Sequence, residues 1–392
     1  MSNKRAENMD AKTLQDIFIK ILRSELNETE LDSAVKDQLT PDVLSALYSL
    51  SKRHDLAHIV AYSLYKNGFG NESEIYSKFS QENVGAVYRY IHMNYALKEI
   101  YNTFNEEHIP YIPLKGSVIR PYYPEESMRT SCDIDILIKE ENLDAAIDAL
   151  VQKGFKRGEK NYHDVSLYSP NNIHLELHFN IQEDITSLDI VLKDAWKYAT
   201  LKHNSYYEFT KEFFLFHMFA HMSYHFLGGG CGIRPLMDIW IIEHKMGITY
   251  TEAKDLLEKA GIYRFASEMS NLSEICFSDR HKDDFTDIFL SYVFDGGVYG
   301  TAKNKITIKK AKTNNTFIYA LKRLFLPYRK MAFLFPILKK VPILLPFCWG
   351  IRFIKMLFGG KARTTMNEIK TASNVSDNEI DIMQKMRSRL GL

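Results

Sequence analysis

Between Cys132 and Lys139 the chain is an aliphatic run interrupted only by Asp133 and Asp135. That interruption limits how the segment can fold. Residues two apart on a strand share a face, so both carboxylates project from one side while Ile134 and Ile136 enter a core on the other. Two carboxylates side by side in an apolar strand are costly unless a cation neutralises them. A hard divalent ion with oxygen ligands suits the pair: Mg²⁺, or Mn²⁺ in its place. A D-x-D alone equally fits two solvated aspartates on an edge strand. Two later strand-like runs, His163 to Ser169 and Ile173 to Ile181, flank the turn Ser169-Pro170-Asn171-Asn172. In the second run Leu175, Leu177 and Phe179 make an apolar face, and His174, Glu176 and His178 a polar one. If it pairs beside the first strand, Glu176 becomes a third ligand. Three carboxylates and two metals suit in-line displacement at phosphorus.

The residues ahead of the aspartates strengthen this reading. Ile109 to Leu114 reads as a short strand, and Gly116 to Tyr123 as a short helix. The turn between them carries Lys115, Gly116 and Ser117. A glycine lets the backbone turn tightly, and a helix start offers free N–H groups to a phosphate. Lys115 and Arg129 add cations, and Ser117 a hydroxyl. Asn142 to Lys153 is helical and stops at Gly154. The order strand, Gly-Ser, helix, D-x-D strand, helix, then two strands with one acid makes a β-α-β-α-β-β block. Farther on, His217, His221 and His225 repeat every four residues along one helix face. Core packing, the lining of an acceptor pocket and a zinc site all remain open for them. Arg234 and Asp238 stand at helical spacing, as an i,i+4 ion pair or as part of a substrate pocket. His178, His221, Arg234 and Asp238 are the candidates for an acceptor pocket.

Around this block the pattern is helical. Asp42 to Gly68 and about Glu82 to Asn105 carry apolar positions at spacings of three and four, and helices return from Leu188. Lys211 to Leu227 stops at Gly228-Gly229-Gly230. The expected fold is α+β: a small mixed sheet between helical segments. Four regions follow: a helical region 1–108, a β-α-β-α-β-β core 109–186, a helical domain 187–300 completing the site, and a basic, apolar region 301–392. The formal net charge of +1 conceals an asymmetry, because Gly296 to Asn367 holds fifteen Lys and Arg and no Asp or Glu. Four separated cysteines without a C-x-x-C pair fit reduced thiols. The first thirty residues show no apolar signal core. The expected location is therefore cytoplasmic, with peripheral contact at an anionic inner-membrane surface through 316–358, where aromatics and aliphatics mix with lysines but no uncharged run is long enough to span a bilayer. Packing of that segment onto the helical domain, and binding of nucleic acid by its lysines, are the competing expectations.

Ile112-Pro-Leu-Lys-Gly-Ser117, Arg129, Asp133-Ile-Asp-Ile-Leu-Ile138, Lys153-Gly-Phe155 and Leu175-Glu-Leu-His178 together resemble the uncharacterised nucleotidyltransferase family of the polymerase-β superfamily. The helical leader Leu50 to Val60 and the run Ile233 to Ile239 are similar to that family as well, so the resemblance covers roughly 40–245. It implies transfer of a nucleoside monophosphate from an NTP, with Mg²⁺, to an acceptor that is unidentified: a small molecule, a glycan, a protein or an RNA. A metal-dependent glycosyltransferase also uses D-x-D, but needs an α/β nucleotide-binding unit ahead of it, where this chain is helical. A non-catalytic nucleotide- or partner-binding member is the other alternative.

Overall fold

The computed structural model describes residues 10–69, 73–183, 185–298, 300–313, 321, 324–358, 370, 371 and 374–392. They form two compact units, one of Met1–Tyr224 with Cys231–Val298 and one of His225–Gly230 with Tyr299–Leu392.

The first unit opens with helices. Pro41–Arg53 starts with Thr40 capping the Val43 amide and Pro41 in its first turn, where the missing N–H costs nothing. The helical spacing from Asp42 to Gly68 is realised as two helices: the chain breaks after Arg53 and resumes at Ala57–Lys66. Asp55 sits between the two at φ 53°, a conformation that aspartate tolerates better than most residues. The long helix Glu74–Glu106 follows. The described elements ahead of the first strand are helices, so among the described residues no α/β nucleotide-binding unit of the glycosyltransferase kind precedes the motif.

Seven strands then build one mixed sheet: β1 (Tyr111–Pro113), β2 (Asp133–Ile138), β3 (Lys156–Lys160), β4 (Asp164–Tyr168), β5 (His174–His178), β6 (Ala199–His203) and β7 (Tyr206–Phe209), in the order β3-β4-β5-β2-β1-β7-β6. β2 lies inside the sheet, antiparallel to β1 and parallel to β5. Its aspartates are therefore not solvated residues on an edge. One face of the sheet is apolar: Ile134, Ile136, Ile138, Val165, Leu167, Leu175 and Leu177 pack with Met93, Leu97, Ile100 and Phe104 of the long helix and with Leu143, Ile147 and Leu150 of the helix Leu143–Gln152. Burying side chains of this size is worth about 1.5–3 kcal/mol each, which fixes the strand register, since a one-residue slip would expose every one of them.

Three strands are additional to those expected. β3 is exposed throughout and charged, so it carries no apolar alternation to read. β6 and β7 form an antiparallel hairpin where helices were expected, turning at Asn204 with φ 47°, and β7 joins the sheet at β1 through the Tyr111–Tyr206 register pair.

In the second unit the helix Asp377–Leu390, opened by a Ser376–Glu379 capping box, buries Ile380, Met383 and Met386 and packs with Ala302–Thr313. Met331, Ala332, Leu338 and Cys348 form a separate small core. Residues 316–320, 322 and 323 of the expected membrane segment lie outside the described residues.

Candidate functional site

The polar face of the sheet gathers the charged residues. In the β2–β5 register Asp133 lies opposite His174, and Asp135 opposite Glu176. Register partners share a face, so Glu176 stands on the same side as both aspartates. Ser166 of β4 aligns with Glu176, and Asp164 with His178. Asp135, Glu176 and His178 bring ligand atoms within 4.8 Å of one another, as do Asp133, His174 and Glu176.

Two cations already lie among these acids. Lys115 Nζ donates to Asp135 Oδ1 at 3.1 Å, and His178 Nε2 to the same oxygen at 2.8 Å. Glu176 Oε2 lies 3.5 Å from His178 Nε2. Burial alone would raise the Asp135 carboxyl, but the Lys115 ammonium and the His178 hydrogen bond hold it well below the usual carboxylate range. The His178 hydrogen bond likewise lowers Glu176, against partial burial. Burial opposes a charge on His178, yet hydrogen bonds to Asp135 and Glu176 overcome it and push the imidazole up to about 9. Asp133 fares differently: burial, Asp135 and Glu176 all push its carboxyl up, to about 6. The cluster thus sets three carboxylates against the charges of Lys115 and His178, and Asp133 is the acid left in deficit. His178 Nδ1 is buried and finds no hydrogen-bond partner among the described residues. Crowded oxygen donors short of positive charge suit a divalent cation, so these side chains could hold a metal ion.

The Lys115 turn differs from its expectation. Lys115, not Gly116, takes the unusual backbone, at φ 45° and ψ −113°, and this aims its ammonium at Asp135. A Cβ on Gly116 would meet Arg120 Nη2, Arg129 Nη1 and Ser131 Oγ at an ordinary 3.8 Å. The helix start does not present a row of free amides either, because Ser117 N donates to Leu114 O and Val118 N to Lys115 O, each at 3.1 Å. The interval to Asp133 is filled by the helix Gly116–Ile119 and the short 3₁₀ turns Arg120–Tyr122 and Glu126–Met128.

Of the two readings of Arg234 and Asp238, the i,i+4 ion pair is not made. Asp238 instead accepts Arg129 Nε and Nη2 at 2.7 and 2.8 Å, and Tyr123 Oη at 2.7 Å. Arg234 Nη2 turns to Asp55, bonding its carboxylate at 2.7 Å and its carbonyl at 2.8 Å. Both arginines obey long-range partners that helical spacing does not reveal. Arg120, which the sequence did not single out, is buried with its Nε on Arg129 O and Nη2 on Ser131 Oγ, both at 3.1 Å.

The residues grouped as an acceptor pocket each have a different immediate partner. His178 belongs to the carboxylate cluster, Asp238 and Arg234 to the two ion pairs, and His221 Nδ1 bonds Glu183 Oε1 at 2.8 Å. His217 is 2 % exposed, and burial, then Lys115 and His221, push its imidazole well below the usual range. The histidines of the helix Lys211–Gly228 are not among the described groups close enough to share an ion.

A family described as uncharacterised nucleotidyltransferase matches residues 42–278, more than half of the chain. The match supports a role in nucleotidyl transfer and, with it, an NTP as substrate. No curated protein and no solved structure matches.

Proposed function

Because the chain belongs to the uncharacterised nucleotidyltransferase family, we propose that it moves a nucleoside monophosphate from an NTP to a hydroxyl acceptor with Mg²⁺ or Mn²⁺. The observation that carries this reading is the β2–β5 register, which sets Glu176 beside Asp135 and makes three carboxylates converge on one sheet face. Asp133, Asp135 and Glu176 would hold the divalent ions. Bound there, the ions supply charge neutralisation at the phosphates and activation of the attacking oxygen. Lys115 Nζ, 3.1 Å from Asp135, is placed to meet phosphate oxygens entering the same space. The Ser117 hydroxyl lies at the adjoining turn. Arg129 contributes its charge from the side of Gly116 while Asp238 keeps it in place. Glu176, on the same sheet face as the aspartates, is the residue we assign to accept a proton from the acceptor hydroxyl, and His221 with Glu183 offers a second polar pair for orienting that acceptor. The location that we propose with this reading is cytoplasmic.

A non-catalytic nucleotide-binding member is the second reading, favoured by the two cations already on Asp135. Incubating the purified chain with each labelled NTP, Mg²⁺ and cell extract separates the two. Label transferred covalently to an acceptor supports the enzyme. Saturable, Mg²⁺-dependent NTP binding without transfer supports the binder.

A further inference from the structure

The second unit contains a helix with an apolar stripe turned outward as well as one turned inward. Leu345–Phe358 buries Cys348 against Met331 and Leu338, and Trp349 Nε1 donates to Leu326 O at 3.0 Å on the same inner side. On its outer side Phe347, Ile351 and Ile354 follow one another at i, i+4 and i+7 and are 71, 45 and 58 % exposed, with Ile343 just ahead at 81 %. A surface helix ordinarily turns polar residues outward. Here the outward stripe is apolar, and an exposed patch of this kind marks a surface that something covers. Lys339 and Lys340 stand exposed in the turn leading to it.

Charge identifies the cover. From Gly296 to Asn367 the chain has fifteen Lys and Arg and no acidic residue, so the complementary surface is anionic. No described helix is long and apolar enough to cross a membrane, and a basic segment with a short apolar face lies along an interface. We propose that this face docks on an anionic lipid surface, with Ile343, Phe347, Ile351 and Ile354 entering the acyl boundary and Lys339 and Lys340 reaching the headgroups. A second copy seated on the same face would set two acid-free basic segments against each other, an arrangement that like charge disfavours. A nucleic acid would satisfy the lysines and leave Ile343 and Phe347 in water. Nothing in the docking depends on transfer chemistry, and a chain inactive as a transferase would still show it.

Co-sedimentation of the full chain with phosphatidylglycerol–phosphatidylcholine vesicles, against phosphatidylcholine alone, tests this at low and high salt. The expected result is binding to the anionic vesicles that is at least about ten-fold weaker without phosphatidylglycerol or at high salt. Ile343→Glu with Phe347→Glu should weaken it by about ten-fold or more while leaving the circular-dichroism melting curve unchanged. Lys339→Gln with Lys340→Gln should weaken it by roughly ten-fold and flatten the salt dependence; it decides the matter if the glutamate pair misfolds. The proposal is overturned if the wild type stays in the supernatant, if the substituted chains bind as well as it does, if light scattering shows a dimer that Phe347→Glu splits, or if duplex DNA binds and vesicles do not.

Discussion

The first unit holds two groups of charged side chains that are opposite in balance. Arg129 and Asp238 form a closed pair: side chains 11 and 3 % exposed, two hydrogen bonds between them, and Tyr123 on a remaining acceptor site. Asp133, Asp135 and Glu176 form an open group, three acids against Lys115 and His178, with Asp133 pushed up to about 6 by burial and by its acidic neighbours. Desolvated charge is tolerated when its partners complete it. The closed pair is thus a fixture of the fold, tying the segment before β2 to the helix Arg234–His244. The open group carries uncompensated charge that a ligand is left to complete, and such frustration is characteristic of working sites.

The largest effect that would sharpen this contrast lies at the open group. Asp135→Asn and Asp133→Asn should each lower Mg²⁺-dependent transfer by at least about 10³-fold, because losing a ligand outright exceeds the 10- to 100-fold cost of disturbing its outer partner. Assay with the labelled NTP that the wild type uses reads this directly. Wild-type rates from both variants would remove the carboxylate cluster from the mechanism.

At the closed pair the effect should fall on stability. Asp238→Ala strands a buried guanidinium and a buried phenol, at a cost of about 3–5 kcal/mol, read as a lower urea midpoint with the slope unchanged. A loss under 1 kcal/mol would mean that Arg129 relaxes to solvent, and the contrast would fail.

A smaller shift of opposite sign is expected from Asp133. An acid whose pKa is higher in the folded chain than in the unfolded one destabilises the fold once ionised. The penalty is absent below about pH 4, grows through the window up to about pH 6 and is complete above it, given the raised carboxyl of Asp133. Asp133→Asn should therefore stabilise the metal-free protein by about 1–3 kcal/mol at pH 7 and by almost nothing at pH 4. Mg²⁺ should raise the melting temperature of the wild type and not of this variant. A variant that melts at or below the wild type at pH 7 would show that Asp133 is not in deficit.

The smallest effect belongs to the half-exposed pair. Asp55 is 42 % exposed at its side chain, and Asn tolerates its φ of 53°. Asp55→Asn should cost no more than about 1 kcal/mol in thermal or urea unfolding. A cost as large as that of Asp238→Ala would make the helix break at Asp55 a second fixture of the fold.

What the sequence determined by itself was whatever periodicity encodes. Alternation in Asp133–Ile138 and His174–His178 put the aspartates on one face of β2 and Glu176 on the polar face of β5, since side-chain direction on a strand follows from the backbone alone. The α+β class followed from the same alternation set among helical spacings. Where a segment's signal is not apolar, nothing local marks it: β3 reads Lys-Arg-Gly-Glu-Lys and lies exposed, whereas the hairpin of β6 and β7 carries a strand-favouring Tyr206-Tyr-Glu-Phe209 that a helical reading passed over. The tertiary structure alone decided which charges meet. Arg129 finds Asp238 across 109 residues, Arg234 finds Asp55 across 179, and His178 reaches Asp135 across 43. Helical spacing offered Arg234 a nearer acid in Asp238, but an ion pair forms where two side chains are brought together out of water, and that depends on how whole elements pack.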